Sequence, residues 1–347
     1  MKTISHQDKH IGSYNPLSLN VKKRNFMSKS LVIGGAGYVG SVLVERLLLN
    51  NRDVTVVDNF SHGVNSLKKF SKAKRLKVYN ENIFNLNKLD VDLKKYKYIY
   101  PLSGLVGDPS CKMDKRRTLR ENVDSLRYLL DKDLNQDSKI IYPSSCSVYG
   151  LINETANEKH ELNPQSLYAE TKIICESMLK NLPKKNVIIL RLPTIFGVSN
   201  RMRFDLVVNK MTFDLIKKNK ITVFNPYSER PLLSTFDLAN ILLKSQRIKN
   251  KFYSYNIGSA NNNYSLEKIA REIVLTLHNQ IKGSKMIEYH DEIDDKRSYS
   301  INLDRFEKEF KVNNFVDFGY EVLKIFRYIK KMKKESINSK KFLNYKI

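Results

Sequence analysis

Short apolar runs alternate with stretches of helical hydrophobic spacing from Ser30 onward. The first run, Leu31–Ile33, ends in glycines, and Val39, Leu43 and Leu47 then recur at the spacing of one helix face. Similar runs predict further strands at 54–57, 76–79, 98–100, 139–142 and 187–190. Because strand and helix alternate, the pattern predicts an α/β fold, a doubly wound parallel sheet with helices on both faces.

Two of the predicted helices flank the strand at 139–142. Their inward faces are predicted to consist of Leu119, Val123, Leu126 and Leu130 in the first helix and Ile173, Ile174 and Met178 in the second. Beyond Gly197 the alternation loosens, with helices near 204–217 and 237–245 and short strands at 221–224 and 253–257. This change predicts a smaller C-terminal lobe interleaved with the last strands of the sheet.

The composition is strongly basic, with a formal net charge of +25 at pH 7. The basic residues form no uninterrupted tract and no RNA-binding motif, so we interpret them as solvated faces and expect no specific nucleic-acid partner. No run approaches the ~20 apolar residues that span a bilayer, and residues 1–26 lack the apolar core of a secretory signal. Cys111, Cys146 and Cys175 show no C-x-x-C spacing, which indicates a reducing compartment and neither a disulfide framework nor a metal site. A cytoplasmic protein without a membrane span is therefore expected.

A glycine-rich turn follows the first strand and opens the first helix, with the spacing G-x-x-G-x-x-G from Gly34 to Gly40. Such a turn lets the backbone approach a pyrophosphate, and the helix N-terminus supplies free N–H groups and a positive dipole. The context predicts a Rossmann-type sheet in which Gly34, Gly37, Tyr38 and Val39 contact a dinucleotide.

Asp58 ends the second strand, where a carboxylate accepts hydrogen bonds from the adenosine ribose hydroxyls. The carboxylate would repel the extra phosphate of NADP. The residues that follow it, Asn59 to Ser61, include no arginine that could offset this repulsion. NAD is therefore the predicted cofactor. The corresponding division of the chain is a flexible extension at 1–28, an NAD-binding Rossmann domain at 29–200 with returning segments at about 232–262, a substrate-binding lobe at 201–231 and 263–330, and a basic tail at 331–347.

A phenol and an ammonium stand one helical turn apart at Tyr168 and Lys172. An enzyme that removes hydride from an alcohol needs a base for the hydroxyl proton, and a nearby cation draws the pKa of a tyrosine down toward neutrality. The serine-containing run Ser144–Gly150 stands at the end of the fifth strand, where ligands of such folds bind, and a hydroxyl there is predicted to hold the substrate alcohol beside Tyr168.

These motifs occur in a familiar order: GGAGYVG, VVDN, ENVDS, SSCSVYG, YAETK, LRLPTIFG, RPLLSTFDLA and YNIGS. Over roughly residues 30–330 the chain resembles the extended short-chain dehydrogenases/reductases, in particular the NAD-dependent nucleotide-sugar epimerase/dehydratase family. The resemblance implies that Ser145, Tyr168 and Lys172 are catalytic, that Tyr168 and Lys172 also contact the cofactor, and that the protein is a homodimer. The further cofactor contacts that it implies are Asn82, Ile83, Leu102, Ser103, Asn122 and Pro193, and the substrate contacts are Ser145, Thr194, Arg230 and Arg297.

The chain departs from the family pattern at three places. Asn82 replaces the usual Asp after the third strand, Pro101–Gly104 replaces His-Leu-Ala-Ala, and Ser234 or its neighbour replaces a His. None of these changes removes a catalytic group. Arg230 and Arg297 are predicted to clamp the substrate diphosphate, with Arg201 and Arg203 as further candidates.

The reaction is predicted from the two residues after Ser145. Family members that remove water carry Asp and Glu there, whereas this chain has Cys146 and Ser147, which lack the necessary carboxylic acids. A nucleotide-sugar 4-epimerase acting by transient C4 oxidation, like UDP-glucose 4-epimerases, is expected. A C4 dehydrogenase that releases a keto-sugar stays open as the alternative, because both use the same base and cofactor. A different class of function also stays open, that of a non-catalytic Rossmann protein that binds NAD or RNA. The high positive charge alone supports it.

Overall fold

The computed structural model describes residues 28–62, 66–152, 154–183, 186–249, 252–259, 263–283, 285–290, 300–332 and 342–344. The predicted extension lies outside these ranges except for Ser28, and Arg297 lies outside them as well. The strands are β1 (Lys29–Ile33), β2 (Asp53–Asp58), β3 (Leu76–Asn80), β4 (Tyr96–Pro101), β5 (Lys139–Ser145), β6 (Thr155–Ala156), β7 (Asn186–Leu192), β8 (Thr194–Phe196), β9 (Lys220–Phe224), β10 (Glu229–Ser234), β11 (Phe252–Asn256), β12 (Asn263–Ser265), β13 (Met286–His290) and β14 (Ser300–Ile301).

The α-helices surround these strands. They are α1 (Tyr38–Leu49), α2 (Asp108–Met113), α3 (Lys115–Leu119), α4 (Ser125–Leu130), α5 (Leu167–Lys180), α6 (Val207–Lys218), α7 (Thr235–Lys244), α8 (Leu266–Thr276), α9 (Asp304–Phe310) and α10 (Phe318–Lys331). A π-helical turn, Arg120–Asp124, joins α3 to α4. Within the described ranges, no helix is both long enough and apolar enough to cross a bilayer.

Seven parallel strands form the main sheet in the order β11-β7-β5-β4-β1-β2-β3. The chain builds outward from β1 to β3 and then returns to continue on the other side from β4. This reversal between β1 and β4 is the topological switch point at which doubly wound sheets bind their ligands. The predicted fold class and the six predicted strands of its first part are confirmed.

Both faces of the sheet are buried at β1, β2, β4, β5 and β7, which explains why these strands are apolar runs without polar alternation, whereas the edge strand β3 is largely exposed. Val32 points into one hydrophobic cluster with Leu43 of α1, whereas Leu31 and Ile33 point into a second cluster on the opposite face. A third cluster joins α6, α8 and α10 around Ile221 of β9. The short sheets β12-β10-β8 and β13-β9 belong to the same C-terminal part of the chain.

The predicted strict alternation is wrong between β2 and β4. Within the described residues of these two connections, the helical segments are short 3₁₀ turns at Lys68–Phe70, Ile83–Lys88 and Leu93–Lys95. The reason is compositional, because segments rich in Lys, Asn and Asp offer too few apolar residues to cover a helix face.

Two predicted inward residues are also wrong. Leu119 is 41% exposed and Ile174 is 39% exposed. The π-helical turn after Leu119 inserts an extra residue per turn, so Leu119 and Leu126 no longer share a face. On α5 the buried stripe runs through Ala169, Cys175 and Leu179, next to Ile174.

The predicted basic tail is wrong in part, because Phe342 is buried and packs with its ring centroid 5.2 Å from that of Phe204. The Phe204 N–H donates to the Phe342 carbonyl at 3.1 Å, and Arg201 Nη2 donates to the Leu343 carbonyl at 3.0 Å. An aromatic residue in a basic segment was the available signal. Residues 342–344, which we call the C-terminal clasp, thus pack against the segment that contains Arg201 and Phe204.

Candidate functional site

The glycine turn after β1 accepts no larger residue at two positions. Gly34 has φ of +81°, and a Cβ there would lie 2.6 Å from the Ser103 amide nitrogen. A Cβ on Gly40 would lie 2.2 Å from the Gly34 carbonyl oxygen. The turn is therefore compressed against both the β4 loop and its own helix. Such a cradle brings backbone, not side chains, to the surface that a pyrophosphate would occupy.

Helix α1 begins at this turn with its N-terminal groups suited to an anion. Gly37 is the N-cap residue and makes no side-chain cap, and the first turn contains no acidic residue. The helix dipole and the N–H groups thus face the turn without a competing carboxylate on the helix itself.

Asp58 holds the turn from the neighbouring strand. Its Oδ2 accepts the Ala36 N–H at 2.9 Å and its Oδ1 accepts the Phe60 N–H at 2.8 Å. Burial raises the pKa of the carboxyl, and these two backbone hydrogen bonds oppose the rise. Each carboxylate oxygen has a further lone pair, so Asp58 could also accept ribose hydroxyls.

A small pocket of about 100 Å³ lies beside Asp58 at the carboxyl ends of β1, β2 and β3. Eight predicted cofactor residues line it: Gly34, Gly37, Asp58, Asn59, Asn82, Ile83, Leu102 and Ser103. Asn82 Oδ1 accepts the Phe84 N–H at 3.1 Å and thereby begins the 3₁₀ turn at Ile83. The pocket combines the carboxylate of Asp58 and the side-chain amides of Asn59 and Asn82 with apolar side chains, and this combination fits an adenosine.

A larger cavity of about 440 Å³ adjoins this pocket and shares Leu102 and Ser103 with it. The other predicted residues among its lining are Tyr38, Val39, Asn122, Ser145, Tyr168, Lys172, Pro193, Thr194 and Arg230. Because the two spaces share lining residues, together they suit an extended dinucleotide. Every described residue among the predicted catalytic, cofactor and substrate contacts therefore lines one of the two. Of the two further arginine candidates, Arg203 lines the larger cavity, whereas Arg201 lines neither and is buried, with its Nη2 donating to the Leu343 carbonyl.

Ser145 reaches the large cavity from the last position of β5. Its Oγ accepts hydrogen bonds from the Ser147 N–H at 3.2 Å and the Ser147 hydroxyl at 2.9 Å. A serine hydroxyl has two lone pairs and one proton. With both lone pairs occupied, the Ser145 proton is available to donate into the cavity.

Tyr168 faces Ser145 from the first turn of α5. Burial raises the pKa of its phenol, the nearby Cys111 and Asp108 raise it further, and a hydrogen bond with Ser145 lowers it. A phenolate at this position therefore needs additional positive charge. A nicotinamide ring of oxidised NAD would supply that charge beside the tyrosine.

Lys172 lies one turn further along α5, with its ammonium 5.8 Å from the Tyr168 ring centroid. The Nζ donates to the Pro143 carbonyl at 2.8 Å and to the Tyr142 hydroxyl at 3.3 Å. Burial lowers the pKa of Lys172. Tyr142 was not predicted as a site residue, because its position inside an apolar strand run gave no polar signal.

A buried ion pair supports the floor of the site behind Ser145. Arg191 of β7 makes two hydrogen bonds to Glu176 of α5, at 3.1 and 2.8 Å, and Glu176 Oε1 also accepts the Ser144 hydroxyl at 2.6 Å. This arrangement ties β5, β7 and α5 together beside the predicted catalytic residues. Neither member was predicted, although Glu176 follows Lys172 by one helical turn and Arg191 lies in the LRLPTIFG motif.

Asn122 anchors the loop that follows β4. Its side chain accepts the Leu105 N–H at 2.7 Å and donates to the Leu105 carbonyl at 3.0 Å and to the Thr171 hydroxyl at 3.2 Å. These bonds occupy both the oxygen and the nitrogen of the Asn122 side-chain amide with protein partners. Asn122 thus positions the cavity wall, and its predicted direct contact with the cofactor stays a prediction.

The opposite wall of the cavity comes from the C-terminal part of the chain. Arg203 makes a two-bond ion pair with Asp205, through Nε at 3.1 Å and Nη2 at 2.5 Å, and both residues line the cavity. Arg230 on β10 lines it as well. The C-terminal clasp closes on the same region, where Asn344 Nδ2 donates to the Val106 carbonyl at 3.3 Å.

The two residues after Ser145 present no carboxyl group to the cavity. Cys146 is fully buried, its Sγ lies 3.3 Å from the Arg191 carbonyl oxygen, and burial raises the pKa of the thiol. Ser147 lines the cavity, but its hydroxyl is bonded to Ser145. All three cysteines are buried free thiols.

Comparison with known proteins agrees with this geometry. Residues 30–258 match the NAD dependent epimerase/dehydratase family. The chain therefore belongs to this family of extended short-chain dehydrogenases/reductases, and NAD is its cofactor.

Curated relatives within the family carry out different reactions. The chain is 25% identical over 224 residues to UDP-glucuronic acid decarboxylase 1 of Xenopus tropicalis, a match that covers 61% of this chain and 52% of the relative. It is 28% identical over 277 residues to dTDP-D-glucose 4,6-dehydratase of Dictyostelium discoideum, covering 70% of this chain and 60% of that protein. The chain thus spans little more than half the length of these relatives.

The fold is shared with the solved structure of a UDP-glucuronic acid 4-epimerase from Bacillus cereus in complex with UDP-glucuronic acid and NAD. The TM-score is 0.73 at 22% identity, and the match covers 87% of this chain and 99% of the other. At this identity the likeness establishes the architecture alone.

Proposed function

We propose that the protein is a nucleotide-sugar 4-epimerase that acts by transient oxidation at C4. The observation that carries the proposal is the cavity in which Ser145, Tyr168 and Lys172 meet while the next two positions, Cys146 and Ser147, offer no acid. Oxidation at C4 needs only the first three residues. Elimination of water also needs acid–base groups near C5 and C6.

In this mechanism the Ser145 hydroxyl donates a hydrogen bond to the C4 oxygen and orients it toward Tyr168. The Tyr168 oxygen takes the hydroxyl proton during oxidation and returns it during reduction. Lys172 favours the phenolate by its charge and, held by Pro143 and Tyr142, positions the nicotinamide ribose. Bound NAD, held by the glycine turn and Lys172, would supply the hydride acceptor for C4 and the hydride donor for the opposite face of the sugar.

The cofactor assignments of individual residues belong to the same proposal. The pocket beside Asp58 would hold the adenosine, and the glycine turn at Gly34 would hold the pyrophosphate. Thr194, Pro193 and Arg230 would contact the nicotinamide and the sugar nucleotide from the far wall. The separate cluster around α6, α8 and α10 supports treating that part as the substrate-binding lobe.

A homodimer and a cytoplasmic location are proposed with the function. Three exposed apolar side chains lie on helices that contact one another: Met113 on α2, Leu119 on α3 and Ile174 on α5. A second copy of the chain could cover these side chains. Three buried free thiols are consistent with a reducing compartment. Supply of sugar nucleotides to polysaccharide biosynthesis is the corresponding role.

The decisive experiment incubates the purified protein with UDP-, GDP-, CDP- and dTDP-sugars, with products followed by NMR and NADH by absorbance. A C4 epimer without accumulating NADH is expected. A free keto-sugar with stoichiometric NADH would instead establish the dehydrogenase. A 4-keto-6-deoxy sugar or a pentose product would overturn epimerisation in favour of dehydration or decarboxylation, and salt-dependent RNA binding without turnover would overturn an enzymatic function.

A further inference from the structure

The buried ion pair behind Ser145 lies outside both described cavities. Glu176 of α5 and Arg191 of β7 are each 1% exposed, and neither lines the larger cavity or the small pocket. Burying two charges costs desolvation free energy that apolar residues of similar volume would avoid. Stability alone therefore does not account for the pair.

Glu176 bonds to two residues that are neighbours across the sheet. Ser144 of β5 and Arg191 of β7 are partners in the register of the two strands. The Ser144 hydroxyl donates to Glu176 Oε1 at 2.6 Å, while Arg191 donates to both carboxylate oxygens, at 3.1 and 2.8 Å. One carboxylate on α5 therefore holds both strands at the position immediately before Ser145.

The carboxyl end of β5 depends on this contact, because its hydrogen-bonded ladder is one-sided there. The β4–β5 ladder covers Lys139 and Ile140, whereas the β5–β7 ladder continues to Ser145. Within the described strands, residues 141–145 are thus paired with β7 alone. Glu176 adds a contact from α5 at the residue next to Ser145.

A second contact with the same ion pair follows Ser145. Tyr149 ends the 3₁₀ turn after β5, and its hydroxyl accepts a hydrogen bond from Arg191 Nη1 at 2.8 Å. The same hydroxyl donates to Asn256 Oδ1 at 2.5 Å. Ser144 before Ser145 and Tyr149 after it are therefore both bonded to the ion pair.

The ion pair also shares a helix with the other two predicted catalytic residues. Glu176 follows Lys172 by one helical turn and Tyr168 by two, so the three lie along one side of α5. The separation of the Ser145 hydroxyl from the Tyr168 oxygen is set by how the end of β5 lies against α5. Glu176 makes the hydrogen bond that fixes this placement.

We infer that the Glu176–Arg191 pair is a positioning device that holds the Ser145 hydroxyl in register with Tyr168. Neither member of the pair lines the cavity, so both act through the residues on either side of Ser145. The inference rests on the proposed oxidation at C4, in which Ser145 and Tyr168 must reach the same sugar oxygen. A displacement of about 1 Å in such a site lowers the rate on the order of 100-fold.

The test removes the Ser144 link and leaves the ion pair intact. In Ser144→Ala, kcat should fall on the order of 10-fold or more, while KM for the sugar nucleotide and calorimetric NAD affinity should change less than about 2-fold. Ser144 itself lines the cavity, and a direct contact with the sugar would appear in KM. Glu176→Gln is the more direct variant, but it leaves the Arg191 charge buried without its counterion and endangers folding.

Ser138→Ala is the matched control at the opposite end of β5. Ser138 is fully buried, directly precedes the strand, and donates its hydroxyl to the Tyr96 carbonyl at 2.6 Å, the same length as the Ser144 bond. Each variant therefore loses one buried hydrogen bond made by a serine. The melting temperatures should fall by similar amounts, and only Ser144→Ala should lose kcat.

The pH dependence supplies a readout that a loss of stability does not move. The hydrogen bond with Ser145 lowers the pKa of Tyr168, so displacement of Ser145 would raise that pKa. Because the phenolate is the base, the rising limb of kcat against pH should shift to higher pH in Ser144→Ala, on the order of half a unit. It should stay in place in Ser138→Ala.

Three results would overturn the inference. The first is a kcat and a pH profile of Ser144→Ala equal to those of the unmutated protein. The second is an equal loss of kcat in Ser138→Ala, and the third is an effect confined to KM.

The outcomes separate this inference from the proposed function. Release of a keto-sugar in place of a C4 epimer would refute epimerisation and leave the inference standing, because both reactions use the same two hydroxyls. If no sugar nucleotide were turned over, the proposed function would fall, and crystal structures of the NAD-bound unmutated and Ser144→Ala proteins would decide the inference. A distance from Ser145 Oγ to the Tyr168 oxygen longer by about 0.5 Å or more in the variant supports it, and an unchanged distance refutes it.

Discussion

The two halves of the site are built in different ways. The proposed cofactor half comes from the carboxyl ends of parallel strands, where Gly34 follows β1, Asp58 ends β2 and Ser145 ends β5. The substrate half joins a loop after β4, the Arg203–Asp205 pair, Arg230 on β10 and the C-terminal clasp. The residues of the first half stand in local sequence motifs. The geometry of the second half is decided by long-range contacts.

Tyr168 faces both halves of the site, and its substitution should have the largest effect on activity. Tyr168→Phe removes only the oxygen that exchanges the proton, so turnover should fall by about 10³-fold or more. Affinity for NAD should change little, because the ring and Lys172 remain. Initial rates and a calorimetric NAD titration measure the two effects. Tyr227→Phe, at an 81% exposed position, is the control, and full activity of Tyr168→Phe would refute the mechanism.

Asp58→Ala tests the proposed cofactor half of the site separately from the substrate half. The change removes predicted ribose hydrogen bonds and the acceptor of the Ala36 N–H, so NAD affinity should fall by about 10-fold, as expected for one charge-assisted hydrogen bond. Sugar-nucleotide affinity should fall less. Asp53→Ala, at the opposite end of β2, should leave both affinities unchanged. A titration in which Asp58→Ala binds NAD normally would exclude the ribose assignment.

Phe342→Ala tests the substrate side and has the smallest expected effect. Loss of the contact with Phe204 should loosen the C-terminal clasp and raise the KM for the sugar nucleotide about 3-fold, with NAD affinity unchanged. Phe224→Ala, on the partly exposed strand β9, provides a control of equal chemistry. If Phe342→Ala weakened NAD and the sugar nucleotide equally, the clasp would not belong specifically to the substrate half.

Local patterns sufficed for most of the cofactor half. A strand buried on both faces must be an apolar run, and a backbone that touches a pyrophosphate must be glycine, so the strand ends and the Gly34 turn follow from residue types at short spacing. The buried faces of the helices were harder to predict from the sequence. The π-helical turn after Leu119 rotates the face by a hydrogen-bond shift that hydrophobic periodicity does not encode.

By itself, the sequence determined the doubly wound sheet and the meeting of Ser145, Tyr168 and Lys172 in one cavity, because the parallel strands bring their carboxyl ends to one edge. Only the tertiary structure decided that Arg201 donates to the Leu343 carbonyl and that Phe342 packs on Phe204. Such partners are far apart in the chain, and their approach depends on the packing of whole elements. The residues at the strand ends are thus readable from local motifs, and the opposite wall of the cavity is set by long-range packing.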